Sequence, residues 1–421
     1  MEFEVIPFER LFSIPLKNGL SKPKKVRGEG YPMVNMGEIF AHDRIRDIEM
    51  DLVPMNEREM ATSYLQKNDL LFARQSLTLE GAGKCSIFLG ESTETTYESH
   101  LIRVRLDNNK CNPLFYYYYF KSPMGKWNIG NIVEQVAAAG IRGSDLKKLK
   151  IPYLPYEFQN KIAKTLNYID EKIELNQKLV SNLEQLAQTL FKHWFINFEF
   201  PNEQGQPYKS NGGEMVESEL GEIPKGWSVQ SLDEVANYQN GLAMQKYRPQ
   251  TDEEEFLPVL KIRELNRGFT DVNSDKCSIN IKDSVKIYDG DVIFSWSGTL
   301  LVKLWTGGRA GLNQHLFKVT SDEFSKWFYY LWTKHHLRVF QARAAEKATT
   351  MGHIKRAHLQ EAKVLTPSHN MFDEANKTFK PIINQIITLG IENKKLEELR
   401  DTLLLKLLSG EIEIPDELVV D

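Results

Sequence analysis

From Pro155 onward, apolar residues recur three and four apart: Ile162, Leu166, Ile169 and Ile173, then Val180, Leu183, Ala187 and Leu190. That spacing is the heptad seam of a long helix. At about 1.5 Å per residue, the stretch from Ile162 to Leu190 spans roughly 42 Å, far beyond an ordinary globular helix. A second stretch carries the same pattern in Ala375, Phe379, Ile382, Ile386, Leu389, Leu396 and Leu403. Asn176 and Asn393 fall on the two seams, where a polar residue sets register at some cost in stability. Each apolar stripe needs a partner to cover it, and each is the obvious partner of the other. An antiparallel pair would act as a spacer, with a head at either end related by a pseudo-two-fold axis. Pro381 and Gly390 inside the second stretch predict a kink or break there.

Upstream of the first helix, residues 1 to about 150 have a different pattern. Short β-rich runs such as DLLFAR and HLIRVRL alternate with Gly, Asn and Asp turns, which predicts a mixed α/β domain. A helix is expected from Pro113 to about Lys126, and its run FYYYYF is expected to be buried core rather than a platform for stacked bases. Residues 197 to 226 are rich in Gly, Pro, Asn and Glu without periodicity, and predict a surface linker. A new module starts at Trp227, where Val229 and Leu232 answer Val5 and Phe8.

The new module repeats the old one. Phe115, Ile141, Leu146, Lys150, Ile173, Leu183, Leu186, Thr189 and Leu190 recur as Phe328, Ile354, Leu359, Lys363, Ile386, Leu396, Leu399, Thr402 and Leu403, always 213 positions later. Nearer the start the offset drifts: Pro32 and Glu38 answer Pro258 and Glu264, Asp69 and Phe72 answer Asp291 and Phe294, and His100 answers His315. Glu38 to Phe115 is 77 residues and Glu264 to Phe328 is 64, so the middle of the module gained or lost 13. Such changes belong in loops, where specificity is placed. A period this long is duplication of a whole domain, since solenoid repeats run about 20 to 50 residues. The fold class expected is α+β: two tandem α/β domains separated and joined by two long antiparallel coiled-coil helices.

With 421 residues, 41% of them hydrophobic, the chain can bury substantial cores. The start MEFEVIPFER has no secretory pattern, and no run approaches 18 apolar residues, so a cytoplasmic protein is expected. Cys85, Cys111 and Cys277 are odd in number and form no CxxC pair, which indicates neither a disulfide framework nor a zinc site. The net charge of −4 hides a segregation. Lys121, Lys126, Arg142, Lys147, Lys148 and Lys150 face only Glu134 and Asp145 in their segment. In the second copy Lys326, Lys334, Arg338, Arg343, Lys347, Lys355, Arg356 and Lys363 face only Glu346 and Glu361. Positive charge placed alike in both copies suits phosphate neutralisation with counterion release.

Catalytic signatures are missing. GAGKCS at 81–86 fails as a phosphate loop, because Thr78 stands where the first glycine belongs and Cys85 where a magnesium-binding hydroxyl belongs. GTLLVKLWTGGRAG lacks the context of a dinucleotide fingerprint. Glu361 and Lys363 form an E-x-K better explained as a strand edge, since Lys148 stands at the Glu361 position of the first copy. His335 and His336 are adjacent and unaccompanied by HExxH, GxSxG or paired carboxylates. No Asn-Pro-Pro-Tyr-like tetrapeptide of an adenine amino-methyltransferase occurs. The chain is expected to bind without catalysing.

Four segments carry a family resemblance over the whole length. They are Ile151-Pro152-Tyr153-Leu154-Pro155-Tyr156-Glu157-Phe158-Gln159 ahead of the first helix, and Leu186-Ala187-Gln188-Thr189-Leu190-Phe191-Lys192-His193-Trp194-Phe195 leaving it. Ser218-Glu219-Leu220-Gly221-Glu222-Ile223-Pro224-Lys225-Gly226-Trp227 opens the second half, and Leu404-Leu405-Lys406-Leu407-Leu408-Ser409-Gly410-Glu411-Ile412 closes it. In this order around two variable domains, the chain resembles the DNA-specificity (S) subunit of type I restriction-modification systems. The resemblance implies two target-recognition domains, each reading half of a split DNA sequence, at 1–152 and 227–365. It implies spacer helices at 153–200 and at 366–421 with the C-terminal tail, and a linker at 201–226. It also implies double-stranded DNA, two methyltransferase subunits and two restriction/translocase subunits as partners. S-adenosylmethionine, ATP and magnesium would belong to those partners, with no cofactor, metal or catalytic residue in this chain. The second copy departs in Leu365-Thr366-Pro367-Ser368-His369-Asn370-Met371-Phe372, where Phe372 replaces Gln159, and the first opens with Phe3 rather than Trp.

Base edges are read by forked or amide donors, and phosphates by Lys, Ser, Thr and backbone N–H groups. The candidates after matching strands are Arg74, Gln75, Ser76 and Lys84 in the first copy, and Ser295, Trp296, Ser297, Thr299 and Lys303 in the second. In the basic segments they are Arg142, Ser144 and Lys147, with Lys347, Thr349, Thr350, His353 and Lys355, mostly as phosphate contacts. Asp69 and Asp291 are shared but expected to be structural. The helix and subunit interface is assigned to Ile162, Leu166, Ile169, Ile173, Val180, Leu183 and Leu190, with Phe379, Ile382, Ile386, Leu389, Leu396 and Leu403. The alternatives to a DNA-reading scaffold are a single-chain nuclease and a decoy that holds methyltransferase without reading DNA.

Overall fold

The computed structural model describes residues 4–91, 94–135, 139–251, 254–346, 352–412 and 414. The chain falls into two compact units, residues 1–171 with 397–421, and residues 172–396.

In the first unit a five-stranded sheet runs in the order Lys17–Asn18, Leu101–Val104, Leu70–Ala73, Cys85–Phe88, Arg44–Ile45. A three-stranded sheet orders Asp51–Val53, Tyr31–Val34 and Thr96–Tyr97. Leu70–Ala73 is buried along its whole length, which explains why its sequence is an unbroken apolar run rather than an alternation. Asp69, fully buried, is held by Arg105 through two 2.7 Å hydrogen bonds and accepts from the Gln66 N–H at 2.8 Å, so it anchors the turn before that strand. The head closes where Glu4–Pro7 pairs antiparallel with Lys150–Tyr153.

The aromatic helix is Pro113–Lys121, and every residue of FYYYYF is buried. Asn112 caps it by accepting from the Leu114 and Phe115 N–H groups. It stops earlier than the sequence pattern suggests. Ser122, preceding Pro123, is extended at φ −68 and ψ 159, and its hydroxyl caps a separate helix, Pro123–Gly130. Gly125 permits this tight turn, because a Cβ there would lie 2.0 Å from the Tyr119 carbonyl oxygen.

The second unit holds a four-stranded sheet in the order Asn237–Asn240, Leu316–Thr320, Val292–Ser295, Leu301–Leu304, and another in the order Lys276–Ser278, Phe256–Leu260, Ala310–Leu312, Lys286–Ile287. It closes like the first head, with Ser228–Ser231 antiparallel to Lys363–Thr366. His336 lies beside that closure, 2.8 Å from the Lys363 carbonyl oxygen, and burial pushes its imidazole down to about 4. A neutral ring tied to backbone is a structural histidine. The aromatic helix here is Lys326–Glu346, where Trp327 stacks on Phe379 at 4.6 Å.

The segment 197–226 is not a bare surface linker. Phe198, Phe200 and Ile223 are buried, Phe200 stacks on Tyr208 at 4.5 Å and on Trp227 at 5.2 Å, and Met215–Ser218 forms a hairpin with Gly221–Pro224. Its apolar residues are too few and too scattered to show a period, yet Trp227 gathers them.

The long helices are Tyr156–Phe191 and His369–Ser409. Contrary to the expected break, the second continues through Pro381 and Gly390. Pro381 is on the exposed face, where water can serve the carbonyl freed by its missing N–H. Gly390 is a packing glycine, since a Cβ would lie 2.7 Å from Thr306 Oγ1. Within the first unit, Ile162, Ala163 and Leu166 share a core with Leu404, Leu407 and Leu408. Within the second, Ala187 and Phe191 share one with Ala375, Phe379, Ile383 and Ile386. Of the assigned seam, Ile162, Leu166, Ile173, Phe379, Ile386 and Leu389 are buried, while Ile169, Val180, Leu183, Leu190, Ile382, Leu396 and Leu403 are half-buried. The most covered positions shift by one, to Ile383 and Leu404, as a 3.6-residue turn drifts against a 3.5-residue repeat.

Asn176 and Asn393 are both buried, and the Asn176 amide donates to Asn393 Oδ1 at 2.9 Å and to Glu392 at 2.9 Å. Changing either asparagine to leucine leaves the other's buried amide short of one partner, at a cost of about 1–3 kcal/mol, whereas the double leucine variant removes both amides and is expected to be near neutral. Denaturant unfolding of the three variants tests this, and additive costs would rule the pairing out as a stabilising contact.

Candidate nucleic-acid interface

Three segments of the first unit converge on Arg74. Its N–H donates to the His100 carbonyl at 2.8 Å, and its carbonyl accepts from the Ile141 N–H at 3.0 Å. The next two residues, Gln75–Ser76, pair with Ala139–Gly140, which pairs in turn with Glu134–Gln135. Gly140 lets the strands meet, because a Cβ there would lie 3.0 Å from the Arg74 carbonyl oxygen. Beside this junction is an open cleft of about 840 Å³, lined by Lys17, Arg74, Gln75, Arg142, Ser144 and Lys147. Five of the six are among the residues expected from sequence; Lys17 is new. Arg142 precedes the helix Gly143–Lys148, is largely exposed, and pairs with Glu134 at 2.6 Å. Ser144 Oγ lies 3.4 Å from Asp145 Oδ1. The Ser76 hydroxyl accepts from the Thr78 N–H at 3.1 Å and shapes the loop beyond.

Lys84 lies apart from this group. Its ammonium is 3.2 Å from Asp43, donates to the Phe40 carbonyl at 3.1 Å and lies over the Phe40 ring. Burial pushes the Asp43 carboxyl up, but Lys121 and Lys84 outweigh it and hold it below the usual range, so the carboxylate keeps its grip on both lysines.

The second unit repeats the junction. The Trp296 N–H donates to the His315 carbonyl at 3.4 Å, and its carbonyl accepts from the Ile354 N–H at 3.0 Å. Ser297 bridges to His353, and the Gly298 N–H donates to the Gly352 carbonyl at 2.8 Å. The Trp296 ring is near both His315 and His353, at centroid distances of 6.0 and 6.3 Å, and its buried indole N–H has no partner among the described residues. Thr299, His353 and Lys355 are exposed at this junction. Ser295 and Ser297 are corrections: Ser295 is fully buried and donates to the Ser297 carbonyl at 3.1 Å, and Ser297 is itself buried with its hydroxyl 3.0 Å from His315 Nδ1, so both brace the loop from inside rather than offering a hydroxyl outward. Lys303 is another. It points to the Asn266 carbonyl at 2.7 Å, where burial pulls its ammonium below the usual lysine range against the opposing influence of Glu184. Lys347, Thr349 and Thr350 lie outside the described residues.

Sequence reasoning missed the part played by the two histidines. His100 and His315 are visible as a repeated pair, and a polar residue kept in both copies beside a strand is a signal in its own right. Among the described residues no group of His, Cys, Asp or Glu is arranged to hold a metal ion, and no helix is long and apolar enough to cross a membrane.

Two heads built on one plan, each with a three-way junction that gathers polar and basic side chains, are the layout of a duplicated DNA-recognition protein. The chain belongs to the family described as the type I restriction modification DNA specificity domain, which it matches twice, over residues 2–185 and 224–400. It is a DNA-specificity subunit of the type I restriction-modification class, a class whose members are not themselves catalytic. It is 28% identical over 313 residues to the type I restriction enzyme MjaIX specificity subunit of Methanocaldococcus jannaschii, covering 72% of this chain and 69% of that one. It is 24% identical over 412 residues to the putative MjaX specificity subunit of the same organism, covering 95% and 91%. The crystal structure of the S subunit of a type I restriction-modification system from M. genitalium shares the fold with a TM-score of 0.54 at 16% identity, covering 97% of this chain and 96% of that one.

Proposed function

We propose that each head reads one half of a bipartite DNA target, the first through Arg74, Gln75, Arg142, Ser144 and Lys147, the second through Thr299, His353 and Lys355 beside the Trp296 ring. The heads correspond to residues 1–152 and 227–365. The helices within 153–200 and 366–421 set the length of the unread gap as an antiparallel coiled coil, and 201–226 connects the halves. The same helices dock two methyltransferase subunits. Leu175, Leu179 and Leu186 support this, since they leave a large apolar surface exposed on the first helix. Methylation of adenine with S-adenosylmethionine falls to those partners. Cleavage and translocation with ATP and magnesium fall to two further restriction subunits, and all of this acts on DNA in the cytoplasm.

The observation that carries the proposal is the same three-way junction in both units, at Arg74 and at Trp296, with a different set of polar side chains on each. The test is genome-wide detection of methylated adenines in cells carrying this chain with its neighbouring methyltransferase, against cells without the chain. A split motif marked on both strands only when the chain is present is expected. An unchanged methylation pattern would refute base reading and leave a decoy scaffold.

A further inference from the structure

We propose that the first unit holds an oxyanion site, for a phosphate group, built on Arg103 and Lys17. It rests on charge and burial and stands apart from the half-site reading. Lys17 and Arg103 are directly opposite each other where Lys17–Asn18 pairs antiparallel with Leu101–Val104. Like charges so placed repel, and a buried cation without a counterion is costly. Arg103 is only 4% exposed. Its Nη1 reaches the Tyr64 carbonyl at 3.5 Å, its guanidinium lies 5.9 Å from the Tyr97 ring centroid, and its buried Nε has no partner among the described residues. Asp69 is committed to Arg105, and Arg103 has no ion pair among the described residues. The Lys17 ammonium donates only to neutral oxygens, Thr62 Oγ1 at 2.5 Å, Ser63 Oγ at 3.1 Å and the Thr62 carbonyl at 3.4 Å. Burial first, then Arg103 and Arg58, pull it below the ordinary lysine range; Glu59, itself paired with Lys22 at 2.9 Å, offsets only part of this.

These groups line an open cleft of about 560 Å³, with Lys17, Arg103 and Arg105 against the exposed Glu94. The second unit shows what the same frame does without a surplus of cations. In the matching register Lys318 is opposite Gln239, and it pairs with Asp291 at 2.8 Å. There the cation of the central strand takes the shared aspartate for itself. In the first unit that aspartate serves Arg105, two residues along, while Arg103 and a second cation, Lys17, have no carboxylate of their own. A bound oxyanion would supply the missing negative charge to both. Phosphate suits the pair, since a guanidinium fork offers directed N–H donors and an ammonium adds a point charge. Two sources carry that chemistry, the DNA backbone and free phosphate. Lys17 also lines the cleft beside Arg74, which places the site within reach of the first source.

The test uses the full chain with two variants, Lys17→Glu, which gives Arg103 a counterion from within the chain, and Arg103→Met. Thermal unfolding is followed against inorganic phosphate, with chloride at equal ionic strength as reference. In phosphate-free buffer Lys17→Glu should raise the midpoint, because a repulsion becomes an attraction. A midpoint lowered by Lys17→Glu would overturn the proposal, and this arm holds even if Arg103→Met does not fold. If the source is free phosphate, the wild-type midpoint rises saturably by about 2–4 °C and both variants lose the shift. General salt stabilisation does not saturate and persists in the variants. If the source is DNA, no saturable shift is seen, and Arg103→Met instead lowers the slope of log affinity against log salt on a duplex by about 0.9, one phosphate contact. Absence of both effects would overturn the site and leave Arg103 as a structural cation over Tyr97.

Discussion

Asp170→Ala is expected to cost the first unit about 3–5 kcal/mol, because it takes from the buried guanidinium groups of Arg44 and Arg400 the carboxylate they share. Asp170 is only 4% exposed. It accepts from the Tyr118 hydroxyl at 2.7 Å and from Arg400 at 2.7 Å, and lies 3.7 Å from Arg44. Burial alone would pull the Arg400 guanidinium down, but Asp170 and Asp401 more than offset this and raise it above the ordinary arginine range. One carboxylate thus ties the aromatic helix, an edge strand and both long helices of this unit. Hydrogen exchange resolves the outcome by segment: protection should fall across 113–121, 156–171 and 397–409 and persist in 326–346 of the other unit. Asp170→Asn keeps an acceptor for Tyr118 and should lose less. Wild-type protection in the alanine variant would mean that the cluster is solvated and energetically idle.

The scale of the architecture was legible because it rests on periodicity and repetition, which sum over many residues. A seam of apolar residues along Tyr156–Phe191 does not depend on any one position, and an offset of 213 held over nine residue pairs survives local divergence. What escaped was decided by single contacts. The break at Ser122 depends on one proline, and its signal was available in the pre-proline rule. Gly390 looks like a helix breaker until Thr306 is seen against it. The aromatics of 197–226 carry no period, so only the presence of Trp227 shows that they pack. At the site, Arg74 and Ile141 are 67 positions apart and no local pattern links them, although both were singled out on their own; His100 closes the same junction through its backbone carbonyl, which sequence cannot reveal. Lys84 and Lys303 were chosen as cations after matching strands, but charge in sequence does not show whether a carboxylate or a carbonyl already holds it.

That last distinction gives the second large effect. The double reversal Arg142→Glu with Lys147→Glu is expected to weaken DNA binding by about 10- to 100-fold near 0.1 M salt and to reduce the slope of log affinity against log salt by about 2, close to 0.9 for each phosphate contact removed. Both residues line the cleft of the first unit. Arg142 already spends part of its charge on Glu134, and reversal would set three carboxylates beside the phosphates in place of one. Lys84→Ala is the informative contrast: its charge is committed to Asp43 and to the Phe40 carbonyl, so the slope should stay near wild type. A salt series by fluorescence anisotropy on a cognate duplex separates the possibilities. If Lys84→Ala lowers the slope and the double reversal does not, DNA lies on the Asp43 side of the head and the cleft beside Arg74 is not the interface. If neither changes it, phosphate binding is carried by the other unit, where Lys355 and Arg356 are the exposed cations next to the Trp296 junction. Because the reversal leaves the long helices untouched, methyltransferase should still co-purify with the variant, which separates a chain that has lost its DNA from one that never read it.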